Sequence, residues 1–416
     1  MFDRATLSNG LRLVGERLPY VRSCTVGVWV KVGSMNEQRS ENGLSHLIEH
    51  MVFKGTASRS ARDIAEEMDA VGGQLNAFTS KDCTCFYAKV IDEDLPLAID
   101  ILSDLALHPV FGEDDLQKER GVVLEEIAMV EDTPEDLVHE LLCEAQYSGS
   151  LKHPILGTSR RIRGYRRDDL QNYWRRHYAP GTMVLAIAGN YDWNHFLDLA
   201  EKCFQSLSGL PREEGPAFAK QAVKSGRKAR EKDTEQIHIC MGYPGVPLGE
   251  EDLYPLSVFN NILGGGMSSR LFQRIREELG IAYSIYTYLS SHPGCGVFNV
   301  YVGTSPGNGE TVLAEMQAQI VKLLRGGVEE KEFNSAKAQL RGSYVLGLES
   351  SSGRMQSIGR SLLLLERLKD PEEQLRKISA VTMEDVLRVG AGVLKAKPSA
   401  AIVGKDAERY LQMIGA

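Results

Sequence analysis

Valines alternate with other residues at Val26, Val28, Val30 and Val32, the period-two pattern of a strand with one buried face. Ahead of it, Asn9-Gly10 stands between ATL and LRLVGERL, which predicts two strands joined by a two-residue hairpin turn. From Gly43 the apolar spacing becomes helical. A second helix is predicted to begin at Ser60, where the hydroxyl and the Asp63 carboxylate can cap each other's backbone, and to stop at Gly72-Gly73. Strands are expected over 74–80 and 84–91, then three or four helical segments within 94–176, and the apolar run TMVLAIAGN closes this part as a buried strand.

The charged stretch PREEGPAFAKQAVKSGRKAREKDTEQ carries Pro and Gly and has no sustained apolar stripe, so a linker is expected over 211–234, between a half at 1–210 and another at 235–416. The second half repeats the grammar of the first: strand IHICMGYP, two helices, strands AYSIYTYL and GVFNVYV, several helices and a final strand. RDDLQNYWRRHYAPGTMVLAIAGN (167–190) and TMEDVLRVGAGVLKAKPSAAIVGK (382–405) both read as a capped helix, a turn and an apolar strand. The predicted fold class is α+β: two related α/β rolls, each a mostly antiparallel sheet covered by helices.

At 416 residues the chain exceeds the size at which one hydrophobic core keeps growing, in keeping with two cores. A net charge of −8 argues against nucleic acid as a partner, because phosphate binding needs a basic face. The excess of acid leaves open a preference for basic substrates, or plain surface acid that aids solubility. Seven cysteines, odd in number and scattered, suit reduced thiols better than a disulfide framework. No segment has the apolar length of a signal peptide or a membrane span, so a cytoplasmic protein without membrane contact is expected.

The chemistry begins at SHLIEHM. On a helix, His46 and His50 stand one turn apart on the same face and can offer imidazole nitrogens to one ion, with Glu49 beside them. Two neutral imidazoles suit zinc, and a neighbouring carboxylate can then take the proton of a water. The competing expectation is two histidines packed without catalytic purpose, which the glutamate inside the pair makes less attractive. A third ligand is sought in KERGVVLEEIAMVED. If Val122, Val123, Ile127 and Val130 form its buried stripe, Glu119 and Glu126 fall inside that stripe and Glu125 points away, at about 100° per residue. Carboxylates on a core-facing stripe need a positive partner, either a metal with its histidines or an Arg or Lys.

With these residues in view, the chain resembles the pitrilysin and insulinase-type zinc peptidases, in particular the branch of mitochondrial processing peptidase and its short bacterial relatives. There the H-x-x-E-H helix is followed about 75 residues later by a glutamate that completes the zinc site, and here Glu126 lies 76 positions after His50. The resemblance implies one zinc per chain held by His46, His50 and Glu126, with Glu49 as the base and Glu119 as a supporting carboxylate that orients a ligand. It implies that GGQLNAFTSKDCTCFY is an edge strand pairing with extended substrate, with Asn76 and Ala77 as contacts. An arginine and a tyrosine seven residues apart, matched by Arg276 and Tyr283, would bind the substrate carbonyl; Arg270 and Arg274 leave the choice of arginine open. The expected activity is a zinc endopeptidase cleaving unfolded peptides or presequence-like segments, in a homodimer. The alternative is a non-catalytic structural subunit of a hetero-oligomeric complex.

Other candidates carry less. Cys83 and Cys85 share one strand face without a zinc-ribbon partner pair, and His108, His139, His153, His177, His195, His238 and His292 lack ligand spacing. Gly264-Gly265-Gly266 precedes a helix, but no Lys-Ser/Thr follows, so no nucleotide is expected.

Overall fold

The computed structural model describes residues 2–208 and 222–414. Residues 211–221 of the expected linker lie outside the described residues. The strands are β1 (Phe2–Thr6), β2 (Arg12–Arg17), β3 (Ser23–Val30), β4 (Gln74–Thr79), β5 (Thr84–Ile91), β6 (Met183–Gly189), β7 (Arg227–Glu231), β8 (Ile237–Pro244), β9 (Ala282–His292), β10 (Cys295–Thr304) and β11 (Ser399–Gly404). They form two sheets, ordered β1-β2-β6-β3-β5-β4 and β7-β11-β8-β10-β9.

Counting strands from β2 in one sheet and from β7 in the other gives the same order: first, fifth, second, fourth, third. Each sheet has one parallel pair, β2 with β6 and β7 with β11, and is otherwise antiparallel. The halves therefore repeat one topology, to which β1 is an addition. The echo seen in sequence falls at equivalent positions: the helix Arg167–His177 leads into β6, and the helix Met383–Leu394 leads into β11.

Local signals set many of the boundaries. Ser60 caps the helix Ala61–Ala70 by accepting from the Asp63 N–H, while the Asp63 carboxylate accepts from the Ser60 N–H. The β1–β2 turn is a three-residue loop rather than the expected two. Leu7 N–H still donates to the Leu11 carbonyl at 2.9 Å, and Gly10 takes φ 93°, a conformation a Cβ would oppose. Five helices, not three or four, occupy 94–176: Leu95–Leu107, Glu113–Asp132, Pro134–Gln146, Ser159–Gly164 and Arg167–His177.

β3 is buried on both faces, not one. Val26, Val28 and Val30 enter the large core beneath the sheet, while Thr25, Gly27 and Trp29 are covered by the helix Ser351–Leu365, which packs on β2, β3 and β6. The Thr25 and Ser351 hydroxyls meet at 2.9 Å, and the Trp29 indole N–H donates to the Met355 sulfur. The second sheet is covered in the same manner by the helix Pro134–Gln146, whose Leu137, Val138, Leu141 and Leu142 pack on Cys240, Tyr301, Ala401 and Val403.

Each sheet thus takes one covering helix from a distant part of the chain, and the compact units are not contiguous. The first gathers the chain up to Ile127, His153–Ser208 and Leu346–Lys369; the second gathers Ala128–Lys152, Ala222–Val345 and the chain from Asp370. The boundaries drawn from sequence at 1–210, 211–234 and 235–416 miss this exchange. Within the expected linker, β7 pairs in parallel with β11. Among the described residues, no helix is long and apolar enough to cross a membrane.

Candidate metal centre

The helix Leu44–Val52 turns Leu47, Ile48, Met51 and Val52 into the first unit's core and leaves His46, Glu49 and His50 on its other side. Its N-terminus is fixed in two ways. Gly43 takes φ 95° where a Cβ would stand 2.8 Å from the Gly157 Cα. The buried Glu37 carboxylate accepts from the Gly43 and Ser45 N–H groups, both at 2.8 Å, and from Asn42 Nδ2 at 3.1 Å. Burial pushes the Glu37 carboxyl upward, and those donors oppose the shift. An acceptor at a helix start is favourable, yet Glu37 lies outside the helical pattern and gave no signal in the sequence.

Glu126 arrives on the helix Glu113–Asp132. Its Oε2 lies 3.6 Å from His46 Nε2 and its Oε1 3.6 Å from His50 Nε2. Among the described residues, His46, His50 and Glu126 are the one group of three or more His, Cys, Asp or Glu side chains that could hold a metal, with donor atoms all within 4.8 Å of one another. Donors bound tetrahedrally to zinc at about 2.0–2.1 Å stand roughly 3.4 Å apart. Two imidazoles and a carboxylate at this spacing fit that ion.

The buried stripe of this helix differs from the one expected. Leu116, Glu119, Val123 and Ile127 are its buried residues, Val130 is half-buried, and Val122 is 44% exposed. Leaving Val122 out moves the stripe away from Glu126, which sits at its rim with 32% of its side chain exposed, able to face a partly open site. Glu119 lies within the stripe. Its Oε2 accepts from His50 Nδ1 at 3.0 Å, and its Oε1 meets Lys54 Nζ at 2.8 Å. Both partners anticipated for a buried glutamate, a metal-site histidine and a lysine, are therefore present. Lys54 was missed, although it follows His50 by one helical turn.

Glu49 Oε2 accepts a 2.5 Å hydrogen bond from the Thr79 hydroxyl at the end of β4. Burial raises the Glu49 pKa, opposed in part by Thr79. A raised carboxylate is a better proton acceptor. Thr79 also went unnoticed, although β alternation puts it on the same face as Ala77. Burial first, and His50 second, push His46 down to about 4, so its imidazole stays neutral near pH 7 and keeps the lone pair a ligand needs. Its Nδ1 is buried without a hydrogen-bond partner among the described residues, whereas the His50 ring is held by Glu119.

β4 is an edge strand, with Asn76 exposed and Ala77 half-buried. In the second unit, Arg276 and Tyr283 lie together: the guanidinium carbon is 5.1 Å from the Tyr283 ring centre and 4.7 Å from that of Phe272. Arg270 is clasped by Glu332, and Arg274 by Glu315 and Glu278. Among the described residues, the carboxylate contact of Arg276 is a 3.8 Å approach to Glu277, and the arginine sits on a π-helical stretch, Phe272–Glu278, a form frequent at functional sites. Tyr283 is 75% exposed. None of the seven cysteines forms a disulfide among the described residues, and Cys83 and Cys85 are buried.

Comparison with known proteins matches residues 12–159 to the family described as Insulinase (Peptidase family M16) and residues 165–340 to the Peptidase M16 inactive domain. The chain is 43% identical over 387 residues to a Bacillus subtilis protein named uncharacterized zinc protease YmxG, covering 93% of this chain and 94% of that one. It is 41% identical over 411 residues to an uncharacterized zinc protease of Streptomyces coelicolor, covering 96% and 89%. In fold it is similar to a protease from Helicobacter pylori, with a TM-score of 0.91 at 22% identity over 97% of this chain and 99% of that one. A Pseudomonas fluorescens structure titled peptidase M16 inactive domain matches with a TM-score of 0.88 at 19% identity over 97% and 98%. By sequence over nearly its whole length, the chain belongs to the insulinase-type M16 peptidase family.

Proposed function

We propose that this chain is a zinc-dependent endopeptidase acting on extended, unfolded polypeptide. The observation that carries the proposal is the convergence of His46, His50 and Glu126 donor atoms beside the half-buried, hydrogen-bonded Glu49. When bound there, zinc would supply a Lewis acid that polarises a carbonyl and makes a water more acidic.

The protein's own groups carry the rest. Glu49, its basicity raised by burial, takes the proton of the attacking water and passes it to the departing amine. Thr79 holds the carboxylate in position by donating to Oε2. The exposed edge of β4 offers main-chain groups to an extended peptide near Asn76 and Ala77, a mode that tolerates many side chains. Arg276 and Tyr283 are the second unit's candidates for substrate contact, because Arg270 and Arg274 are already engaged by carboxylates. We take the working form to be a homodimer, to be checked by sizing in solution.

The test compares wild type with Glu49→Gln for bound zinc and for cleavage of an unstructured peptide. Zinc retained with cleavage lost supports the proposal. Equal cleavage by both proteins would remove Glu49 from its role. A wild type that binds zinc and cleaves nothing would favour the non-catalytic subunit instead, against the retention here of all four residues His46, Glu49, His50 and Glu126.

A further inference from the structure

The helix Glu113–Asp132 carries two glutamates toward the metal-site histidines, Glu119 and Glu126, two turns apart. Both carboxylates meet the His50 ring, Glu119 at Nδ1 and Glu126 at Nε2, so something must decide which of them is free to meet a cation. The arrangement around Glu119 supplies that decision. Its two oxygens are engaged separately, Oε2 with His50 Nδ1 at 3.0 Å and Oε1 with Lys54 Nζ at 2.8 Å.

Lys54 is placed for this by the backbone. Phe53 caps the helix end with φ −78° and ψ −6°, and in the closing turn the Lys54 N–H donates to the Met51 carbonyl, which leaves Lys54 about one turn beyond His50 and able to meet the same carboxylate. The Glu119 side chain is only 7% exposed, and a single ring contact at one oxygen leaves a buried carboxylate with its other oxygen unmet. The ammonium supplies the missing charge and grips the oxygen that the histidine leaves.

Resting on the zinc reading above, we propose that Lys54 is a positioning residue of the metal centre. It clamps Glu119 against His50 Nδ1, so that His50 presents Nε2 and Glu126, not Glu119, remains as the third ligand. Lys54 touches neither metal nor substrate and acts through Glu119.

The test is a zinc-affinity cycle on the full-length, metal-stripped protein, read by competition with a chromophoric chelator. Removing outer partners of metal ligands typically weakens binding about 10–100-fold, so Lys54→Met and Glu119→Gln are each expected to bind zinc at least about tenfold more weakly. Because Lys54 acts through Glu119, the double variant should be no weaker than Glu119→Gln alone. Lys54 is 36% exposed, which favours folding of the variant; if circular dichroism shows Lys54→Met unfolded, Lys54→Gln replaces it in the cycle. Wild-type affinity in the folded lysine variant, or losses that multiply in the double variant, overturn the proposal. A wild type that takes up no zinc would instead defeat the reading on which it rests.

Discussion

Gly359 offers a test of the exchanged helix Ser351–Leu365. A Cβ built at Gly359 would lie 2.2 Å from Trp29 Nε1 and 2.5 Å from Cε2, inside the 3.0 Å that real Cβ contacts essentially never pass. The ring cannot easily yield. It is 1% exposed, its N–H donates to the Met355 sulfur at 3.3 Å, and Phe78 packs edge-on at 5.7 Å. In a helix interior, Gly→Ala alone gains about 1 kcal/mol. Overpacking a filled core costs about 1–3 kcal/mol, and a contact this short belongs at the upper end. Gly359→Ala should therefore destabilise the first unit by about 1–2 kcal/mol, lowering its melting temperature by roughly 2–8 °C. The control is Gly342→Ala, also within a helix but with nothing within 4 Å of the added methyl, which should raise stability by up to about 1 kcal/mol. Thermal melts of metal-free protein read both signs without a contribution from bound ion. A Gly359→Ala protein as stable as wild type would mean that Trp29 does not pack under this helix.

Glu126→Gln should lose zinc under conditions where the exposed neighbour Glu125→Gln keeps it, measured by metal analysis after dialysis; equal retention would remove Glu126 from the ligand set. Arg276→Ala should raise KM or lower kcat for an unstructured peptide with little change in melting temperature. Arg270→Ala should lower the melting temperature instead, by leaving the Glu332 carboxylate without its bidentate partner, and the reverse pattern would exchange their roles. Burial, and then the Arg176 charge, push His177 down to about 4, whereas an unfolded histidine titrates near 6.5. Between these values the unfolded chain binds a proton that the folded one refuses, so stability falls as the pH drops from 6.5 through 4. The acid-side decline in melting temperature should be shallower in His177→Phe than in wild type, and parallel profiles would refute this.

The candidate metal site was legible because it is encoded by short, regular spacings. His46, Glu49 and His50 share a helix, where 3.6 residues per turn sets their faces without help from the rest of the fold. The phase of its own helix brought forward Glu119 and Glu126 together, on a stripe that wrongly counted Val122, and the spacing in the resembled family singled out Glu126. Strands β4 and β5 and the Ser60 cap were legible for the same reason, since alternation and capping are local. The repeated strand order was visible as repeated grammar.

What lay beyond the sequence is whatever depends on partners far along the chain. β3 reads as half-buried because alternation reports its valines, and nothing near Thr25 or Trp29 announces a helix more than 300 residues away. The same distance hid the exchange of Pro134–Gln146 and Ser351–Leu365, and with it the true limits of the two units. Glu37, Thr79 and Lys54 show the contrast at the site: their types are ordinary, and only folding brings each within hydrogen-bonding distance of what it holds. Periodicity fixes which way a side chain faces within its own element, whereas the group that meets it there is chosen by packing.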